Sequence, residues 1–193
     1  MKQFDKDKIE QAVAQLLTAL NQDLTDENLA ETPRRVAKYW MELLEGELYT
    51  NDEIIKMYDK QFSLPTSDNM VIVSDIPIFS HCCHHLALMF NMRAHIAYIP
   101  KDKVLGLSKV ARIVDMVAKR LQLQERICED TAYIMKSILN TDNVAVVIEG
   151  EHGCVAARGI KKVGSTTRTE VMSGDFKTNA AIADRFYNLI SHK

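Results

Sequence analysis

Six consecutive residues, Ser80-His81-Cys82-Cys83-His84-His85, carry five thiol or imidazole groups. Thiolate and imidazole are the donors that zinc prefers, so a metal is the simplest chemistry for such a run. The other place where Cys and His lie close together is Glu151-His152-Gly153-Cys154. A ligand from that distant segment would complete a three-ligand site with one open position, the arrangement of a catalytic rather than a structural zinc. Spacing alone leaves a second reading open, that of buried thiols and hydrogen-bonded histidines. No second Cys-x-x-Cys or His-x-x-His pair declares a closed site. Cys128 sits in a helical stripe and reads as core.

Between the two clusters lies Gly106-Leu107-Ser108-Lys109-Val110-Ala111-Arg112, a turn followed by the start of a helix. Free N–H groups and a partial positive charge at a helix N-terminus, reinforced by Lys109 and Arg112, suit an anion such as phosphate. A solvated cationic face is the competing reading. The same two readings apply to Arg158, Arg34 and Arg35, surface arginine being the default. The polar run Gln122-Leu123-Gln124-Glu125-Arg126 falls where one helix ends and another begins, and Glu125 there can serve the helix start. Thr166, Thr167 and Thr169 need no explanation beyond β propensity.

These groups need elements to hold them. Apolar residues at helical spacing predict a helix over 5–20, with Ile9, Val13, Leu16, Leu17 and Leu20 as its stripe. A second helix is expected from Thr32 as N-cap and Pro33 as first helical residue, ending at Gly46. A short helical segment, then strands near 70–80 and 88–99, follow. Two helices over 107–140 have Val110, Ile113, Val114 and Val117, then Ile127, Ala132, Ile134 and Ile138, as their buried faces, with a join at 121–123. Strands are expected at 144–148, at 155–161 and at 164–171, and a closing helix at 180–190. Paired strands around two consecutive helices predict an α+β fold rather than a doubly wound parallel sheet.

The 193 residues carry 24 Lys+Arg against 26 Asp+Glu, a formal charge of −2, which argues against a general nucleic-acid binder. No apolar run approaches the ~20 residues of a membrane span, and the charged start MKQFDKDKIEQ does not suit a signal peptide, so no membrane and a cytoplasmic location are expected. Four cysteines are too few for a disulfide scaffold.

Five runs in register carry a resemblance: Cys82-x-His84-His85; Ala94-His95-Ile96-Ala97-Tyr98-Ile99-Pro100; Gly106-Leu107-Ser108-Lys109; Gln122-Leu123-Gln124-Glu125-Arg126; and His152-x-Cys154 with Ala157-Arg158-Gly159. In order and spacing they resemble the GTP cyclohydrolase I family, over a stretch from about Thr32 to Lys177. The resemblance implies a tunnelling fold, with an N-terminal helical region over 1–66 and a catalytic domain over 67–193. That domain would be a four-stranded antiparallel sheet with two helices inserted between its middle strands. It also implies a homodecamer of two pentamers with active sites at subunit boundaries.

The implied zinc ligands are Cys82, His85 and Cys154, with water in the fourth place as the source of a nucleophile. The implied reaction attacks C8 of GTP, releases formate and gives 7,8-dihydroneopterin triphosphate, the first step toward tetrahydrofolate and other pterins. His84 and His152 match the family's catalytic histidines, and Glu125 matches the guanine reader, with Gln124 lining the base pocket. Ser108, Lys109, Arg112 and Arg158 match triphosphate and ribose positions, and Arg35 an arginine from a neighbouring subunit. Cys83 departs from the usual Cys-Glu-His-His pattern, and 86–91 replace a Pro- and Gly-containing version. A low-turnover relative that binds GTP and zinc is therefore the alternative expectation.

Overall fold

The computed structural model describes residues 2–63 and 69–191. Two compact units part between Tyr49 and Thr50. The expected boundary at 66/67 lies outside the described residues.

The first unit holds α1 (Lys6–Ala19) and α2 (Thr32–Leu43), which pack on each other, followed by a 3₁₀ turn (Glu45–Leu48). Asp5 caps α1 by accepting from the Lys8 N–H at 3.1 Å. The predicted stripe of α1 is only partly covered, since Leu16 and Leu20 are more than half exposed. Its single helical neighbour within the unit covers less than a full apolar face. The second helix begins one residue earlier than predicted. Glu31 is its N-cap and Thr32 already helical, because the Thr32 N–H continues the preceding turn by donating to the Leu29 carbonyl. Gly46 lies buried inside the 3₁₀ turn rather than ending α2.

The second unit opens with α3 (Asn51–Tyr58), started by a capping box between Thr50 and Glu53. Then come β1 (Gln61–Ser63), β2 (Val71–Cys82), β3 (Leu88–Tyr98) and β4 (Lys103–Leu105). Next are α4 (Leu107–Ala118), β5 (Leu121–Gln122), α5 (Gln124–Leu139) and β6 (Val144–His152). The chain finishes with α6 (Gly153–Ala156), β7 (Thr166–Met172), α7 (Asp175–Thr178) and α8 (Ala180–Ser191). The main sheet runs β5-β2-β3-β6-β7, antiparallel except for the two-residue β5, and β1 pairs with β4 separately. The α+β class follows, with α4 and α5 lying in sequence between β3 and β6.

Both helical stripes are buried as the periodicity predicts, Val110, Ile113, Val114, Val117 and Ile127 with no exposed surface. On the other sheet face, Phe176 and Phe186 meet edge to face, centroids 5.8 Å apart, over Ala97, Ala145 and Val147. The strand expected at 155–161 does not form. The chain instead makes the single helical turn α6 and a loop before β7. Gly153 permits this turn against β3: a Cβ there would lie 2.9 Å from the Leu88 carbonyl oxygen.

The join between α4 and α5 is held by a polar knot. Asp130 accepts at Oδ1 from Asn51 Nδ2 (2.9 Å) and at Oδ2 from Arg120 Nη1 (3.2 Å) and Gln122 Nε2 (3.3 Å). Since β5 pairs Leu121 with His81 and Gln122 with Cys82, this knot fixes the strand that flanks the Cys- and His-rich run.

Candidate active site

Strand β2 alternates buried and exposed residues until Phe79, after which Ser80, His81 and Cys82 are all buried. A register shift between Ile78 and Ser80 ends the alternation. Beyond it the strand is flanked by β5, and the Ser80 hydroxyl donates to the Ala118 carbonyl at 2.7 Å. Cys82 then starts a tight turn. Its N–H donates to the Ala87 carbonyl at 2.9 Å, and its own carbonyl accepts from Leu86 (2.9 Å) and His85 (3.3 Å). This folds His85 back until its Nδ1 stands 3.9 Å from Cys82 Sγ.

The third member arrives through the sheet. Met89 at the start of β3 pairs with His152 at the end of β6, and α6 turns Cys154 back toward β2. The ligand atoms of Cys82, His85 and Cys154 all lie within 4.8 Å of one another. The donor set fits zinc. With Zn–S of about 2.3 Å and Zn–N of about 2.0 Å, a tetrahedral centre needs an S···N separation of about 3.6 Å, close to the spacing present. Burial and the neighbouring Cys82 push the Cys154 thiol above its ordinary range, so without a cation beside it this sulfur favours its protonated form. A metal cation offsets both effects. Cys83 lies outside this trio, its N–H donating to the Gln122 carbonyl at 3.1 Å.

Around the trio stand other residues singled out from the sequence. His84 is exposed, its ring centroid 6.3 Å from that of His85. Arg158, exposed on the loop after α6, brings Nη1 to 2.7 Å from His85 Nε2. His152 is partly buried, and desolvation lowers its pKa against an opposing pull from the Glu125 carboxylate. Glu125 is exposed in the first turn of α5.

Gln124, one residue earlier, is 1% exposed and points the other way. Its Nε2 donates to the carbonyls of Ile148 (2.9 Å) and Thr167 (3.1 Å), and its Oε1 lies 2.8 Å from His152 Nε2. Both ends of this amide are engaged by protein, one by the two strands and the other by His152.

The phosphate candidates are not brought to the trio within one chain. Leu105 N–H donates to the Tyr98 hydroxyl at 3.2 Å just before α4 starts, whereas the far end of α4 touches Ser80. Ser108, Lys109 and Arg112 therefore lie up to a helix length away, about 16 Å at about 1.5 Å per residue. Ser108 and Arg112 are exposed, and the Lys109 ammonium donates to the Lys60 carbonyl at 2.6 Å. Arg35 is exposed on α2, in the first unit. Cys128 is fully buried as expected, with its thiol pushed up to about 12 by burial.

Sequence reading passed over Asn51, Arg120 and Asp130, whose contact is long-range. It also assigned Gln124 by its neighbours in the motif. The signal available for Gln124 was the helix period: Ile127, Cys128 and Thr131 lie three, four and seven positions on, all buried.

A sequence model of the family described as GTP cyclohydrolase I matches residues 9–191. The chain is 50% identical over 191 residues to the GTP cyclohydrolase 1 of Clostridium botulinum (strain Kyoto / Type A2), covering 96% of this chain and 97% of that protein. It is also 50% identical to the Ruminiclostridium cellulolyticum protein of that name, covering 96% and 98%. Identity to the Clostridium acetobutylicum protein of that name is 48%, covering 96% and 97%. With a family match over nearly its whole length, and relatives at this identity named for one enzyme, the chain belongs to the GTP cyclohydrolase I family of enzymes.

Proposed function

We propose that this enzyme is a zinc-dependent GTP cyclohydrolase I that opens the guanine imidazole ring of GTP at C8 and releases formate. Rearrangement and reclosure then give 7,8-dihydroneopterin triphosphate, at the entry to tetrahydrofolate and other pterins. The observation that supports this most is the convergence of Cys82, His85 and Cys154 beside His152, with Glu125 close enough to bias that imidazole.

Cys82, His85 and Cys154 would hold the zinc, whose Lewis acidity would make a water nucleophilic near neutral pH. His152 and His84 move protons at the purine N7 and its neighbours, work for which imidazole is suited because its pKa is near neutral. The exposed Glu125 carboxylate accepts from both guanine N1–H and the 2-amino group, a donor pair that adenine lacks. The Arg158 guanidinium serves phosphate oxygens, as its fork of N–H donors allows.

Ser108, Lys109, Arg112 and Arg35 complete the phosphate side from neighbouring copies in a homodecamer of the tunnelling fold. Two facts support a shared site. The start of α4 stands far from the trio of its own chain, and β7 ends the sheet at one side while β5 covers only the last residues of β2 at the other. Such edges are suited to edge-to-edge closure into a ring. Among the described residues no helix is long and apolar enough to cross a membrane. We place the enzyme in the cytoplasm, where cysteine ligands stay reduced. Because Cys83 is outside the trio, full turnover is the expected behaviour rather than GTP binding alone.

The test is anaerobic incubation of the zinc-loaded protein with GTP, following formate and the fluorescent oxidised neopterin together. Both products are expected. Neither product, with zinc and GTP demonstrably bound, would refute the proposal.

A further inference from the structure

We propose that Gln124 is a positioning residue that holds the His152 ring in one orientation and one tautomer, with Nε2–H turned to the buried amide and Nδ1 left as the bare ring nitrogen. The inference rests on the role given above to His152 and adds which nitrogen does the work and what selects it.

The assignment starts from the amide itself. The end of Gln124 that faces the Ile148 and Thr167 carbonyls, at 2.9 and 3.1 Å, must be the NH2, because an oxygen there would meet two acceptors and be repelled by both. Its two protons are thereby used. The atom 2.8 Å from His152 Nε2 is then Oε1, which can only accept. Nε2 consequently carries a proton whether the ring is neutral or cationic. In the neutral ring Nδ1 is then the bare nitrogen and accepts.

The orientation is as constrained as the tautomer. Gln124 is 1% exposed, and its two carbonyl partners belong to β6 and β7, so the acceptor facing His152 is tied to the sheet rather than to a free side chain. His152 is paired with Met89 across the same sheet. A side chain that fixes the tautomer of a proton-transferring histidine sets a catalytic step without touching substrate. The adjacent residues Gln124 and Glu125 divide the labour, one directed inward to the imidazole and the other outward.

The experiment compares wild type and Gln124→Met at equal zinc content. Nitrogen NMR of protein labelled with 15N-histidine reads the tautomer, the His152 signals being identified by their loss in His152→Ala. Wild type is expected to show His152 protonated at Nε2, and Gln124→Met a mixture. A wild-type ring protonated at Nδ1 alone would overturn the inference, and this reading does not depend on turnover.

In the kinetic arm, Gln124→Met is expected to lower kcat by about 10- to 100-fold, within the range of general acid–base effects. Its Kd for GTP should stay within about twofold. A weakened GTP affinity with kcat unchanged would instead make Gln124 a base reader and sink the proposal. Wild type that binds GTP but releases no formate would refute the proposed activity, leaving the NMR result to decide the tautomer.

Discussion

Asp130 is remote from any proposed chemistry, yet the strand beside the metal trio depends on it. Replacing it with Ala removes three hydrogen bonds and the ion pair with Arg120. Arg120 and Asp130 have 12% and 22% of their side chains exposed, between a surface pair worth about 0–1 kcal/mol and a buried pair whose breaking costs about 3–5 kcal/mol. Arg120 Nη1 retains Asn51 Oδ1 at 2.8 Å, which trims the loss, so the expected destabilisation is about 2 kcal/mol. Asp130→Asn, with its one oxygen toward Arg120 and Gln122, keeps two of the three hydrogen bonds and loses the charge and the bond from Asn51, for about 1 kcal/mol. At about 2–4 °C per kcal/mol for a chain of this size, Asp130→Ala should melt about 4–8 °C lower. Melting is measured at matched protein concentration, because the proposed assembly would make Tm concentration-dependent. Gln122 pairs with Cys82, and its carbonyl accepts from Cys83, so the variant should also yield zinc faster to a chelator. A change under about 0.5 kcal/mol, or Asn and Ala variants alike in cost, would refute the reasoning.

Other outcomes follow from the same geometry. Cys154→Ser or His85→Ala should purify with zinc well below one per chain while keeping the far-ultraviolet spectrum of the wild type; full zinc content by elemental analysis would remove the residue from the ligand set. Gly153→Ala forces a Cβ to 2.9 Å from the Leu88 carbonyl, so the turn carrying Cys154 must shift, and zinc retention is expected to drop more than thermal stability. Glu125→Gln should weaken GTP binding by about 10- to 100-fold, because an amide cannot accept from both guanine donors; unchanged affinity in a binding titration would reassign the base reader. Folding raises the Cys128 thiol from 9.0 to about 12, so above pH 9 the unfolded chain loses a proton that the folded chain keeps. Stability should then fall with rising pH between 9 and 12, by up to about 1.4 kcal/mol per unit from this group, and Cys128→Val should flatten that slope in denaturant melts at matched pH.

The chain's own periodicity determined α4 and α5, whose apolar residues recur every three or four positions and have one partner surface to bury against. The run at 80–85 and the segment at 151–154 were likewise visible as donors, because thiol and imidazole chemistry belongs to residue type and not to fold. The resemblance supplied the ligand set that spacing had left open. Local pattern failed where a tertiary contact outweighed it. The residues 155–161 look extended, but close approach of Gly153 to Leu88 and the return of Cys154 toward Cys82 make a helical turn there. Gln124 and Glu125 are neighbours in one motif, and only the packing of α5 on β6 and β7 turns one inward and the other outward. The same holds for Asp130, whose partners come from two other segments, Asn51 from the start of α3 and Arg120 and Gln122 from the join before α5. Residue type fixes which atoms can donate, accept or ligate. Which of them meet is decided by long-range pairing of strands and helices, a distance in space that separation along the chain does not encode.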